Sequence, residues 1–149
     1  MFKFAANRWV KILLVLIAVA IAAIGLVYQF VYNKPHPDYE NTAADYSLPA
    51  PKLFYDCRDN KDDAIARYTG KVIEVTGTAN AIELVDSLVV VVFAYEEGMF
   101  GSEGLRVTML PNYHELIRLH PLSMEITLKG FCSGYNDTDV IIEKGSIVR

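Results

Sequence analysis

The chain has 149 residues, 52% of them hydrophobic, and a formal net charge of −4, which leaves room for one domain plus an appendage. The charge is unevenly placed: Lys3, Arg8 and Lys11 precede the first long apolar run, and residues 33–149 carry 11 Lys and Arg against all 18 Asp and Glu, a net of −7. Non-specific nucleic-acid affinity is mostly phosphate neutralisation by Lys and Arg, so this balance argues against nucleic acid as a partner.

The first element is the 21-residue run Ile12–Tyr32, in which Gln29 is the one strongly polar member. As a helix it would span about 31 Å, the thickness of a bilayer core. In lipid a single segment satisfies its backbone only as a helix. Trp9 at one end, and Tyr28 and Tyr32 at the other, are the amphipathic rings expected at the two interfaces. Two other readings compete. A cleaved signal peptide would use the small residues Ala18 to Ala22, but the apolar run continues past them. A buried core helix fits the unbroken length poorly. No cysteine lies in or just after the run, which sets aside a lipid-modified N-terminus. The basic residues before the run keep the N-terminus in the cytoplasm and send the rest outward. The expectation is one pass through the cytoplasmic (inner) membrane: residues 1–11 inside, 12–32 spanning, and an extracytoplasmic, periplasmic domain beyond.

Residues 33–52, with Pro35, Pro37, Pro49 and Pro51, read as a stiffened linker. The next stretch, from Leu53 to Gly70, sets Leu53, Cys57, Ala64 and Tyr68 near one helical face, with "DNKDD" opposite. One amphipathic helix is expected, ended by Gly70. Strands follow. Ile73, Val75, Gly77 and Ala79 alternate with polar neighbours, and Gly77 suggests a bend or bulge. "SLVVVVFAYE" is apolar throughout, a strand covered on both sides. Leu105, Val107 and Met109 alternate with Arg106 and Thr108. "NYHELIRLH" reads as a short helix capped by Asn112. Met124, Ile126, Leu128 and Cys132 then share a strand face, and "DVIIEKGSIV" closes the chain. The fold class expected over 53–149 is mainly β: a five-stranded OB-fold barrel with a preceding helix and a short helix between strands three and four. An open α+β sheet is the alternative.

Two stretches carry a family resemblance. "AIARYTGKVIEVTGTANAIE" (Ala64–Glu83) is similar to the opening of the tRNA_anti-like OB-fold family, where a helix ends in an aromatic before Gly-Lys and a strand ending in Gly. "LKGFCSGYNDTDVIIEKGSIV" (Leu128–Val148) resembles its closing strands, with Gly-x-Cys-x-Gly. The resemblance covers 53–149 and implies mostly fold. Members are small bacterial proteins, often membrane-anchored or exported. The family name reflects kinship with anticodon-binding barrels and does not imply tRNA binding. Members often carry a cysteine in the last strand, which this chain lacks.

OB-folds bind on the outer face of strands two and three and on the loops joining strands one to two and four to five. Those loops fall at Ile82–Ser87 and Ser133–Asp139. The candidate ligand-binding residues are Tyr95, Arg106 and Thr108, with Lys129 and Phe131 from the edge strand, and Tyr135 on the loop. Phe131, Tyr135 and Tyr95 could be stacking platforms and Arg106 and Lys129 phosphate contacts, as single-strand binders require. Asp86, Glu96, Glu97, Asp137 and Asp139 crowd the same end and oppose that use. "NDTD" offers oxygen ligands but lacks the spacing and turn glycine of a calcium loop, so no metal is expected. His36, His114 and His120 stand in no recognised catalytic arrangement, and neither an enzyme nor a cofactor is expected. Cys57 and Cys132 allow one intramolecular disulfide, and two buried thiols fit equally well. The functional expectation is a membrane-anchored binding or scaffolding module for a protein, peptide or small molecule at the envelope. An oligonucleotide-binding barrel and a structural subunit of an envelope complex are the alternatives.

Overall fold

The computed structural model describes residues 8–28 and 38–148. The chain divides into two compact units, Met1–Pro37 and Asp38–Arg149. In the first, helix α1 runs from Arg8 to Val27. Its stretch Val10–Val27 has a mean hydropathy of 2.9 and no buried residue, so it is long and apolar enough to cross a bilayer. The expected far end of the span, with Gln29 and Tyr32, lies outside the described residues, as do the linker prolines Pro35 and Pro37.

The second unit holds strand β1 (Tyr46–Pro49), helices α2 (Ala50–Asp59) and α3 (Lys61–Tyr68), strands β2 (Val72–Thr78), β3 (Ala81–Val85), β4 (Leu88–Gly98) and β5 (Gly101–Met109), a 3-10 turn at Pro111–Tyr113, helix α4 (His114–Arg118), and strands β6 (Glu125–Tyr135) and β7 (Asp139–Ile147). The hydrogen-bonded order is β1-β2-β6-β7-β5-β4-β3. This corrects the closed five-stranded barrel: the sheet is open and has seven strands. Two of the extra strands have clear causes. Asn80 breaks the expected first strand into β2, which pairs with β6, and β3, which pairs with β4. Its amide bonds to Val92 O at 2.8 Å, and its side-chain oxygen accepts from Ala94 N at 2.8 Å. With β2 and β3 taken as one bent strand and β1 set aside, five strands remain in the partly open Greek-key arrangement of an OB-fold.

The linker expectation also needs correction, because Tyr46–Pro49 is a strand. It pairs in parallel with β2, from Tyr46↔Ile73 to Pro49↔Thr76. Asp45 fixes its start: its N–H donates to Val72 O at 2.8 Å and its carboxylate accepts from Val72 N at 2.9 Å. Pro49 suits an edge position and leads directly into α2, whose first residue, Ala50, is fully buried. The single preceding helix is in fact two, broken at Asn60. The expected apolar face survives the break, since Leu53, Phe54, Cys57, Ala64 and Tyr68 are all buried. The Tyr68 hydroxyl donates to Asp56 at 2.8 Å and ties α3 back to α2.

The core lies between these helices and the inner faces of the sheet, where Ile73, Val75, Phe93, Leu105, Val107, Leu128 and Ile142 are fully enclosed. Gly77 is not a bulge, since β2 keeps an unbroken register with β6 through it. A side chain there would meet Ala50 Cβ at 3.2 Å and the Tyr95 hydroxyl at 3.3 Å, so glycine lets α2 and β4 approach the strand. Three further expectations change. Asn112 sits inside the 3-10 turn and makes no side-chain cap bond. Met124 precedes β6 and is 56% exposed, although Ile126, Leu128 and Cys132 do point inward. Finally, β6 is no edge strand, being paired with β2 on one side and β7 on the other.

Candidate functional site

On the outer face, β4 presents Val90 and Val92, both nearly as buried as the core valines behind them. The register explains their cover: Arg106 of β5 lies opposite Val92, and Thr108 opposite Val90. The Arg106 stem can shield apolar surface while its guanidinium stays polar. That guanidinium is held by two carboxylates, donating from Nε to Asp139 Oδ2 at 2.9 Å and from Nη1 to Glu83 Oε2 at 2.9 Å. Asp139 in turn accepts Gly104 N–H at 3.1 Å and is 8% exposed. Gly104 is required there, since any Cβ would overlap Phe93 O at 1.8 Å. The result is a clasp joining β3, β5 and β7, and its hydrogen bonds, the one to Asp139 foremost, hold the Arg106 pKa above its ordinary value.

Of the residues expected beside Arg106, Thr108 shares its face and the others do not. Tyr95 has the inward parity of Phe93 and packs on Phe54 (5.8 Å between centroids) and Tyr55 (6.4 Å). Burial pushes its hydroxyl up to about 12, as expected of a ring inside a core and not of an open platform. Lys129 and Phe131 lie on β6, separated from Arg106 on β5 by the intervening strand β7. There the chain covers Phe131 with its own segment: the Tyr39 ring packs on Phe131 at 4.9 Å, and Lys144 Nζ lies 5.1 Å from the centre of the Tyr39 ring. Asp38, next in sequence, has its carboxyl held below the usual range, first by the Asn41 amide and more weakly by the charge of Lys129. The expected platform Phe131 is thus met by an internal ring.

Tyr135 stands apart again, at the end of β6. Its hydroxyl donates to Asp137 O at 3.0 Å, and burial, followed by Glu103 and Asp137, raises its pKa. It lines a 350 Å³ cleft between α3 and the β6–β7 loop, together with Ile65, Thr69, Gly134 and Ile141. The loop is a self-contained turn. Asn136 Oδ1 accepts from Thr138 N, Thr138 Oγ1 and Asp139 N at 2.7–3.1 Å, while Asp137 pairs with Lys61. These bonds occupy the oxygens that a cation would need, and the described residues hold no cluster of three or more His, Cys, Asp or Glu suited to a metal.

The sequence reading missed Glu83 and Tyr39 as partners. Both left a trace: Glu83 has the parity of an outward residue on the strand flanking β4, and Tyr39 is one of two aromatics, with Tyr46, in the stretch 33–52. Cys57 and Cys132 are buried free thiols of the same core cluster. Burial pushes them up to about 12 and about 11, respectively, so neither is primed as a nucleophile.

A bent first strand, a helix after the third long strand and a parallel β5–β7 pair define the OB-fold class. Within it, the chain belongs to the tRNA_anti-like family, whose profile matches residues 1–147. Among solved structures it is similar to a candidate nucleic acid-binding lipoprotein of Klebsiella pneumoniae. The identity is 14% and the TM-score 0.54, over 78% of this chain and 100% of that one. That likeness supports the fold. A second similarity is to yeast Stn1 and Ten1, at 8% identity and a TM-score of 0.34, over 75% of this chain and 66% of that one, and nothing rests on it. No curated protein matches the chain.

Proposed function

We propose that the chain is a membrane-anchored, non-catalytic OB-type binding or scaffolding module. In this reading α1 spans the inner membrane with its N-terminus in the cytoplasm, and the β-domain stands on the periplasmic side. Its partner is an uncharged peptide or protein segment, or a small molecule, and not a phosphate backbone. The observation that carries this reading is the Glu83–Arg106–Asp139 clasp, which leaves the cation on the usual OB ligand face with two carboxylates already bound. Two more basic side chains near that end support it. Arg58 is paired with Asp59 and Glu96, and Lys61 with Asp137. His114 and His120 each direct Nε2 at a backbone carbonyl, of Met109 and Met124, which favours a structural use over catalysis. The cleft beside Tyr135 offers a largely apolar seat at the loop where OB-folds take ligands.

A second reading, nucleic-acid binding, is favoured by the name of the Klebsiella protein. Labelled single-stranded oligonucleotides titrated against the full chain in detergent separate the two. We expect no binding at low salt; binding that weakens steeply as salt rises would establish the second reading. Topology is tested with Ala43→Cys, an exposed position. A membrane-impermeant thiol reagent should label it in intact spheroplasts, and labelling only after lysis would reverse the orientation. Co-purification after crosslinking in membranes separates a subunit of a larger complex from a small-molecule binder.

A further inference from the structure

At one end of the β-domain, large apolar side chains are left uncovered. At the Asp86–Ser87 turn, Leu84 and Leu88 are 69% and 47% exposed, and from Leu116 to Met124 the chain adds Leu119 at 80%, with Leu116, Leu122 and Met124 also open. The two groups are neighbours, because Arg118 of α4 lines a 290 Å³ cleft together with Ile82, Leu84 and Val89. Single exposed leucines need no explanation, but five leucines and a methionine at one end of a small domain mark a contact surface.

The path of the chain says what covers it. Glu40 accepts a hydrogen bond from the Tyr113 hydroxyl at 2.6 Å, and Tyr113 closes the 3-10 turn that leads straight into α4. The segment arriving from α1 therefore joins the domain beside the leucine end. The nine residues 29–37 can span at most roughly 35 Å even when fully extended. The Met99–Phe100 tip is the other exposed apolar feature, at 90% and 92%. It lies at the opposite end of β4, about 35 Å from Leu88 for an 11-residue strand.

We propose that the leucine end is a lipid contact, resting its apolar side chains in the interface of the bilayer that holds α1. The inference rests on the anchored reading above and adds the face by which the domain meets the membrane. The local charge specifies the kind of contact. Asp86, Glu115 and Glu125 surround the patch, and Arg118 is already 3.7 Å from Glu115, so attraction to anionic headgroups contributes little and apolar burial dominates.

The test uses the full chain in phosphatidylcholine vesicles, with one environment-sensitive dye on Leu119→Cys, on Leu84→Cys or, as the comparison, on Met99→Cys. Cys57 and Cys132 are buried and leave the introduced thiol to react. We expect a nitroxide carried on the lipid to quench the dye at positions 119 and 84 several-fold more than at 99, and aqueous iodide to show the reverse order. Mixing in anionic lipid or raising salt should leave this order unchanged. Iodide quenching at 119 and 84 equal to that at 99 overturns the proposal. Protection from both quenchers also overturns it, in favour of a protein partner such as a second copy of the chain. Failure of the protein to float with the vesicles overturns the anchored reading and this one together, whereas flotation with iodide-accessible leucine positions overturns this one alone.

Discussion

The two ends of the β-domain are built on opposite plans. At the end carrying α2, α3 and the Asn136–Thr138 turn, two helices cover the core, and ion pairs such as Arg58–Glu96 and Lys61–Asp137 stitch the helices to the strands and loop. At the other end a five-residue helix buries Ile117 and leaves its neighbouring leucines in solvent. The first end is closed by its own chain. The second leaves its apolar side chains uncovered by its own chain. The lesson is that the two loops where OB-folds usually bind differ in this chain: Ser133–Asp139 is largely satisfied internally, whereas Ile82–Ser87 lies at the end whose leucines are uncovered.

The largest test of that contrast removes the plug. Phe54→Ala empties a fully buried site packed against Tyr55 and Tyr95, and should cost about 3–5 kcal/mol in urea unfolding. A loss under 1 kcal/mol would mean that α2 does not close the core.

Next comes the clasp. Arg106→Ala leaves Asp139, which is 8% exposed, without its charged partner, and should destabilise the domain by about 2 kcal/mol. The pair is partly open to solvent, so the figure is set below that for a fully buried pair. A neutral effect, with oligonucleotide affinity reduced instead, would show that Arg106 serves ligand and not fold.

Alkaline pH probes the same closed end through its thiols. In the folded state Cys57 and Cys132 ionise well above the ordinary thiol value of 9.0, near 12 and 11. The unfolded chain gives up these protons first, so their contribution to stability is complete below pH 9 and is lost as pH climbs from 9 toward 12. A pH series of urea midpoints should therefore fall over that window, and Cys57→Ala should flatten it. At neutral pH both thiols should resist a disulfide-forming reagent until denaturant is added. Two thiols that stay unreactive after unfolding, and appear only on reduction, would reveal a bonded pair.

Smaller effects sharpen the comparison. Lys61→Ala breaks an exposed ion pair and should change stability by less than about 1 kcal/mol. Leu119→Ser should shift it by no more than about 0.5 kcal/mol, because a side chain 80% exposed in the free domain contributes little to the fold. A large destabilisation by Leu119→Ser in the absence of lipid would mean that the leucine end is part of the core.

Much of the fold was legible before the structure. The unbroken apolar run, the helical face Leu53–Tyr68 and the alternation of Leu105, Val107 and Met109 are each one-dimensional patterns with a fixed period. What failed had no period to read. A four-residue strand ending in Pro49 resembles a linker until Asp45 and Val72 meet, and the division of the first long strand depends on Asn80 finding Val92 and Ala94 across the sheet. The candidate site fared less well for the same reason. Parity correctly set Arg106 and Thr108 outward, but it carried no information on Glu83 and Asp139 arriving from β3 and β7, or on Tyr39 lying over Phe131.

By itself, then, the sequence determined the apolar helix, the acidic character of the rest and the family to which the chain belongs, because length, charge and alternation are properties of neighbours along a chain. Tertiary structure alone decided that Arg106 was already paired with two carboxylates, that Tyr95 faced inward and that the leucines collected at one end. Those outcomes depend on which residues far apart in sequence come within about 3 to 6 Å of each other, and no local pattern encodes that.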